Sequence, residues 1–461
     1  MDSRDHSRLI PINEFSVPIL REGGVGKEGE KERRNMCRKY IKTSVVVTMV
    51  CFLIGVGIES LATTFIGDGE RTGSGERTGS GERSGDGERK LKYHSINTTR
   101  YPSALCNDGS AAGFYVSEDV VAPTSAVIYL QSGGWCYDKE SCALRWKTTP
   151  NLMSSKNWPS EASPGGIFQS KQRWIDESTM FVSVPYCSSD GHFGNAYDDL
   201  VGFRFFGHEI IKAVIGSLTK DFFEGALDLV VFGGASAGAR GAMVHIDYVS
   251  RLLKDAGVKK VVGVLDSPLW VDKDPIGFDG GKPTYGLLNQ TRDVYNIAGI
   301  GVSSGKDVIP DDCREKYVGE EYKCLFGVFR MPFVQTEYLL ISAQFDSYQL
   351  GIDGLALPFS EAQNSFADDF GGKMQDAFDE LVGTKGATLY SLPCFNHAIS
   401  ESGAFFSLKT RGDAGLSEDE AVAAFLSNTS AFADYRDFCA DGFDNCTIAG
   451  SKCGDNLWLN L

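Results

Sequence analysis

The segment Leu227–Gly238 reads LDLVVFGGASAG, an apolar run that leads straight into Gly234-Ala-Ser236-Ala-Gly238. A strand, then a serine with glycine two residues to either side, then a helix is the arrangement of a nucleophile elbow. The turn is too tight for bulky neighbours, which explains the glycines. It lifts the hydroxyl clear of the sheet, and the start of the following helix offers unpaired backbone N–H groups to an oxyanion. In a chain with 53 glycines the five-residue pattern alone is weak, and it recurs as Gly301-Val-Ser303-Ser-Gly305. That second copy lacks a strong strand before it, and Pro310 limits any helix after it. Ser236 is therefore the candidate nucleophile. The alternative is a tight strand–helix turn that merely needs small residues.

The chain has six histidines: His6, His94, His192, His208, His245 and His397. Behind an elbow of this kind the partners follow in the order serine, acid, histidine, which leaves His245 and His397. His245 falls in the helix after the elbow and should point away from the hydroxyl. His397, on a loop just beyond the predicted strand Ala387–Leu392, is the candidate base. Two acids lie between serine and base at strand ends: Asp266 after Val261–Leu265, and Asp346 after Tyr338–Ala343. Asp346, after the second strand past the elbow, is preferred. It would fix the imidazole tautomer and stabilise the imidazolium. The early run Ala126–Leu130 leads into Gln131-Ser-Gly133-Gly134-Trp135-Cys136, a glycine pair similar to the oxyanion loops of esterases. The backbone N–H groups of Gly134, Trp135 and Ala237 are the candidate oxyanion donors. A plain strand-to-loop turn is the alternative for the first two.

These residues need a sheet to hold them. Predicted strands Ala126–Leu130, Met180–Val184, Leu227–Phe232, Val261–Leu265, Tyr338–Ala343 and Ala387–Leu392 alternate with helical segments, notably Gly207–Leu218 and Ala239–Ala256. Such alternation implies an α/β domain with a mainly parallel sheet covered on both faces, here over residues 91–461. The 461 residues, 42% hydrophobic with 29 Phe and 17 Tyr, can fill one large core. The formal net charge of −16 argues against nucleic acid as a partner. Upstream, residues 1–42 are polar and end in Arg33, Arg34, Arg38, Lys39 and Lys42. Residues 43–66 are apolar apart from Glu59 and are just long enough for a bilayer. With the basic flank first, this predicts a single-pass signal anchor with a cytosolic tail and a lumenal or extracellular domain. A cleaved signal peptide is the rival reading. Residues 67–90 repeat Gly, Glu, Arg, Thr and Ser without a large apolar side chain and predict a disordered stalk, spanning roughly 25 Å. Twelve cysteines, ten of them beyond the anchor, and sequons at Asn97, Asn289, Asn428 and Asn445 fit the secretory pathway.

The motifs together resemble the pectin acetylesterase / Notum family of carboxylesterases. The matching segments are GGWC at Gly133–Cys136 with Cys142 following, PYCSSD at Pro185–Asp190, GGASAG at Gly233–Gly238, FDSYQL at Phe345–Leu350 and CFNH at Cys394–His397. The resemblance implies an α/β-hydrolase-like fold, no metal or other cofactor, and a triad of Ser236, Asp346 and His397. It implies two substrate classes, acetylated plant cell-wall polysaccharide and fatty-acylated Wnt protein. The expectation adopted is a short acyl group, acetyl, on a polysaccharide hydroxyl, with fatty-acylated protein as the alternative. Trp135 and Tyr137 are candidates to stack on sugar rings or to pack under a lid formed by the connection Val271–Glu337. Expected disulfides are Cys136–Cys142, Cys106–Cys187 and Cys313–Cys324, with Cys394, Cys439, Cys446 and Cys453 making two more of open connectivity. Two other classes compete. A metal- and nucleotide-sugar-dependent transferase would use Asp272-Lys-Asp274, and a non-catalytic binding module would keep the fold alone.

Overall fold

The computed structural model describes residues 89–120, 122–172, 174–223, 225, 227–277, 284–301, 308–356, 359–411, 415–440 and 442–443. All fall within one unit, Arg83–Leu461. The tail, the anchor segment, nearly all of the stalk, Ser303, Asn445, Cys446 and Cys453 lie outside the described residues. Among those described, no helix is long and apolar enough to cross a membrane.

Among the described residues, fourteen strands run in the order β1 (Leu91–Ser95), β2 (Gly113–Val116), β3 (Ser125–Leu130), β4 (Glu161–Ala162), β5 (Thr179–Val184), β6 (Ala196–Asp198), β7 (Phe203–Phe205), β8 (Leu229–Ala235), β9 (Lys260–Asp266), β10 (Tyr338–Ile341), β11 (Phe345–Asp346), β12 (Ala387–Ser391), β13 (Phe395–Asn396) and β14 (Ala433–Arg436). Ten of them form one sheet, ordered β14-β12-β10-β9-β8-β3-β5-β2-β1-β4. From β14 to β5 every pairing is parallel. Beyond β5 the pairings turn antiparallel. The parallel strands are buried almost without interruption, as sheets covered on both faces must be. Helices α1 (Lys139–Thr148), α2 (Gly207–Asp221), α3 (Ala237–Asp255), α4 (Leu287–Ile297), α5 (Glu361–Asp379) and α6 (Glu418–Ser427) accompany the sheet. Two separate apolar clusters pack with the sheet, one built on Ala126, Ile128, Leu130 and α3, the other on Val127, Tyr129, Phe181 and α6. Their alternation along β3 is the period-two signature of a strand buried on both sides.

The mainly parallel α/β sheet expected from sequence is present, with differences at its margins. The predicted strand Leu227–Phe232 runs on to Ala235, because Gly233 has no side chain to strike the Val264 carbonyl of the neighbouring strand. The antiparallel edge β2-β1-β4 and the outer strand β14 were not anticipated. They are short, and β1, β4 and β14 are only partly buried, so their apolar pattern is faint. Among the described residues, Arg89 lies over the Phe181 ring at 4.0 Å. Cys106–Cys187, Cys136–Cys142 and Cys313–Cys324 are bonded, and Cys394 and Cys439 are each in a disulfide.

Candidate active site

Strand β8 ends at Ala235, Ser236 turns the chain, and α3 starts at Ala237. Ser236 holds φ 52° and ψ −116°, a conformation strained for a residue with a side chain. Two glycines make the turn possible. A Cβ on Gly238 would collide with the Leu130 carbonyl, and one on Gly234 with the Gly238 backbone. The turn is pinned by the Ser236 N–H, which donates to the Asp266 carbonyl at 2.8 Å.

His397 Nε2 lies 2.7 Å from Ser236 Oγ, and His397 Nδ1 lies 2.7 Å from Asp346 Oδ2. The other Asp346 oxygen accepts the Gln349 N–H at 2.8 Å, capping the short helix Ser347–Ile352. A two-residue parallel ladder sets this alignment: β11 pairs with β13, with Asp346 opposite Asn396, so acid and base leave adjacent strands side by side. Asp346 is fully buried, and the His397 side chain is 13% exposed. Burial pulls the imidazole pKa down. The charge and hydrogen bond of Asp346, with Asp266 and Glu401 behind them, outweigh burial and hold it above its ordinary value.

The alternative acid, Asp266, sits elsewhere in the network. Its carboxylate accepts Ser267 Oγ–H at 2.9 Å and the Ser400 N–H at 2.8 Å. No hydrogen bond joins it to His397 among the described residues. Burial pushes its pKa up. It ties the elbow backbone to the loop after the base. His245 points away, with Nδ1 against the Gly241 carbonyl and Nε2 against His208 Nδ1.

The segment after β3 carries Gly133 and Gly134 at φ 144° and 62°. Among the described residues, no group accepts a hydrogen bond from the N–H of Gly134, Trp135 or Ala237. The segment is held from two sides. Cys136–Cys142 closes a loop onto α1. Glu401, four residues beyond His397, accepts both the N–H and the hydroxyl of Ser132. Burial raises the Glu401 pKa to about 7, with the Ser132 bonds pulling against it.

Several side chains here escaped the sequence reading. Tyr348, two residues after Asp346, stacks on His397 with centroids 5.1 Å apart and on Trp270 at 5.7 Å. Arg240, one helical turn after Ser236, lies against both the Trp135 and Trp270 rings, which meet edge to face at 5.5 Å. Its spacing on α3 was the available signal; Glu401 gave none. The Trp135 ring is thus occupied by packing, and its Nε1–H donates to Gln290 at 2.9 Å. Of the two roles expected for it, stacking on a sugar or packing under the connection Val271–Glu337, its bond to Gln290 matches the second. Tyr137 pairs with Tyr285 at 5.6 Å. Beside Gln131 opens a groove of about 360 Å³ lined by Tyr115, Asn151, Leu152, Trp158 and Glu401 among others. Lys273 of the Asp-Lys-Asp triplet pairs with Asp369, and no group of acids, histidines or cysteines among the described residues could hold a metal ion.

A family model described as pectinacetylesterase matches residues 86–440. The palmitoleoyl-protein carboxylesterase notum1a of Danio rerio is 27% identical over 340 residues, covering 70% of this chain and 63% of that protein. The palmitoleoyl-protein carboxylesterase NOTUM of Mus musculus is 28% identical over 326 residues, covering 67% of this chain and 60% of that protein. The match therefore spans under two thirds of these relatives' length. The solved structure of the Wnt deacylase Notum from Drosophila superposes with a TM-score of 0.65 at 25% identity, covering 76% of this chain and 97% of that one. On the extent of the family match, the chain belongs to the pectinacetylesterase family.

Proposed function

We propose that the protein is a serine carboxylester hydrolase, with Ser236 as nucleophile, His397 as general base and then general acid, and Asp346 as the carboxylate that orients the imidazole. The observation that carries this reading is the pair of 2.7 Å contacts joining the three side chains. Ser236 Oγ attacks the ester carbonyl as its proton passes to His397 Nε2. The imidazolium formed is stabilised by Asp346. The carbonyl oxygen becomes an oxyanion facing the N–H groups of Gly134, Trp135 and Ala237, which have no acceptor among the described residues. His397 returns the proton to the leaving alcohol, and water then cleaves the acyl-enzyme by the same route.

The leaving group we propose is a polysaccharide hydroxyl and the acyl group a short one, acetyl. The family description supports this. The names of the relatives favour a second reading, deacylation of a fatty-acylated protein. We further propose that residues 43–66 anchor the chain in a membrane with residues 91–461 on the lumenal or extracellular side. The disulfides and the exposed positions of Asn97, Asn289 and Asn428 support the location. A fluorophosphonate probe should label the protein at Ser236 and not its Ser236→Ala variant. Acetate release from acetylated pectin or xylan supports the glycan reading. No release from either, with cleavage of an octanoylated peptide, overturns it in favour of the second.

A further inference from the structure

Arg240 is 1% exposed, yet among the described residues no carboxylate lies within ion-pair distance of it. Its guanidinium carbon sits 3.9 Å from the Trp135 ring centroid and 3.8 Å from that of Trp270, a double cation–π contact. Nη2 donates to the Leu325 carbonyl at 3.0 Å and, more weakly, to Thr291 Oγ1 at 3.4 Å, while Nε has no partner. Burial lowers its pKa to about 9, against the pull of Tyr348 and Tyr186. A buried cation held by rings, one carbonyl and one distant hydroxyl is an expensive filler for a core position where a leucine or methionine would serve.

Its neighbours connect it to the reacting atoms. Trp270 stacks on Tyr348 with planes 16° apart, and Tyr348 stacks on His397 at 23°. The Tyr348 hydroxyl lies 3.3 Å from the point a Cβ on Gly134 would occupy. His397, Tyr348 and Trp270 therefore form a stacked column that turns a corner at Arg240, where Trp135 meets Trp270 edge to face at 5.5 Å. It begins at the base bonded to Ser236 and ends in the segment carrying the free N–H groups. Ser236 Oγ, the atom an acyl group would esterify, touches one end of these contacts through His397, and Gly134 lies beside the Tyr348 hydroxyl.

We propose that this column is the acyl-length stop of the site: Tyr348 and Trp270 form the wall, and Arg240 blocks the space behind it. This rests on the hydrolase reading and deepens it, since it specifies acetyl and similarly short esters as substrates. An acyl chain of several carbons would have to displace stacked rings and then place methylenes against a guanidinium that already lacks a full set of partners.

The test is a series of p-nitrophenyl esters from acetate to octanoate, read as kcat/KM, on the full chain and on Tyr348→Ala, Arg240→Met and Trp270→Leu. Fluorophosphonate labelling serves as the check that each variant retains a formed site. The unmodified protein should favour acetate. Tyr348→Ala, and at least one of the two deeper variants, should raise the octanoate-to-acetate ratio about tenfold or more. Tyr348→Phe, which keeps the ring, should leave the ratio unchanged. Equal loss on every ester in all variants that still label, or an unmodified protein that cleaves octanoate as well as acetate, overturns the stop. Should Arg240→Met fail to fold, the Tyr348 and Trp270 variants decide. Failure of the unmodified protein to label at Ser236 would instead overturn the hydrolase reading itself.

Discussion

Exchanging Asp346 for asparagine isolates the part this carboxylate plays, because the structure dictates how the new amide must sit. Oδ1 accepts the Gln349 N–H at 2.8 Å, so the amide oxygen takes that place and its NH₂ faces His397 Nδ1. Nδ1 must then accept, which moves the ring proton to Nε2. That nitrogen would donate to Ser236 Oγ when it should take a proton from it. The charge is lost as well. Across a separation of about 4 Å, at an effective dielectric constant of about 20, a carboxylate stabilises an imidazolium by roughly 4 kcal/mol. That corresponds to about 10³ in rate. With the wrong tautomer added, Asp346→Asn should lower kcat/KM on p-nitrophenyl acetate by about 10³ to 10⁴. The pH profile supplies a second reading. His397 must be neutral to act, so kcat/KM should fall as pH drops through a value above the ordinary imidazole pKa of 6.5. In Asp346→Asn the main influence raising that pKa is gone and burial remains, so this limb should move to lower pH. Asp266→Asn, which touches Ser267 and Ser400 and makes no bond to the base, should cost less than about tenfold. A loss in Asp266→Asn equal to or above that of Asp346→Asn would refute the assignment of the acid.

Two further outcomes follow from buried carboxyls. Glu401→Gln should lower kcat about tenfold with little change in KM, because it weakens charge-assisted bonds to Ser132 but leaves the triad intact. With the Glu401 pKa at about 7, the unmodified enzyme should lose part of its kcat as pH falls through 7, and this component should vanish in the variant; an unchanged profile would count against the tether. Glu418 is fully buried, with Oε2 unpaired among the described residues, and burial, assisted by Asp266, raises its pKa well above 4.5. The unfolded chain ionises above 4.5 while the folded one keeps the proton, so stability falls as pH rises, by up to about 1.4 kcal/mol per unit. Glu418→Gln should therefore show a Tm advantage that is absent near pH 4 and grows toward pH 8, and a difference independent of pH would contradict this.

The candidate site residues were legible because the marks that single them out are local. The glycines around Ser236, the strand before it and the scarcity of histidines after it each leave a mark within a few residues. The presence of the central parallel strands was legible for the same reason, through their apolar runs, whereas their order in the sheet was not. What escaped was set by contacts distant along the chain. The ladder between β11 and β13 is two residues long and has no pattern of its own, yet it brings Asp346 to His397. The bond from Glu401 to Ser132 spans 269 positions. Tyr348 and Trp270 read as ordinary apolar residues until the fold stacks them. The aromatic beside the glycine pair was visible, but its surroundings were not, and Arg240 claims the face that a sugar would have needed.

The backbone at Ser236 sets chemistry and folding against each other. Its φ of 52° is one that glycine adopts freely, whereas a side chain there costs on the order of 1–3 kcal/mol. On the hydrolase reading, a copy of this protein released from that duty would gain thermodynamically by a change to glycine at this position. Such a relic would be a firmer scaffold than its working ancestor. The serine therefore bears on ancestry as well as mechanism: a lineage that used the fold only to bind would be under pressure to discard it.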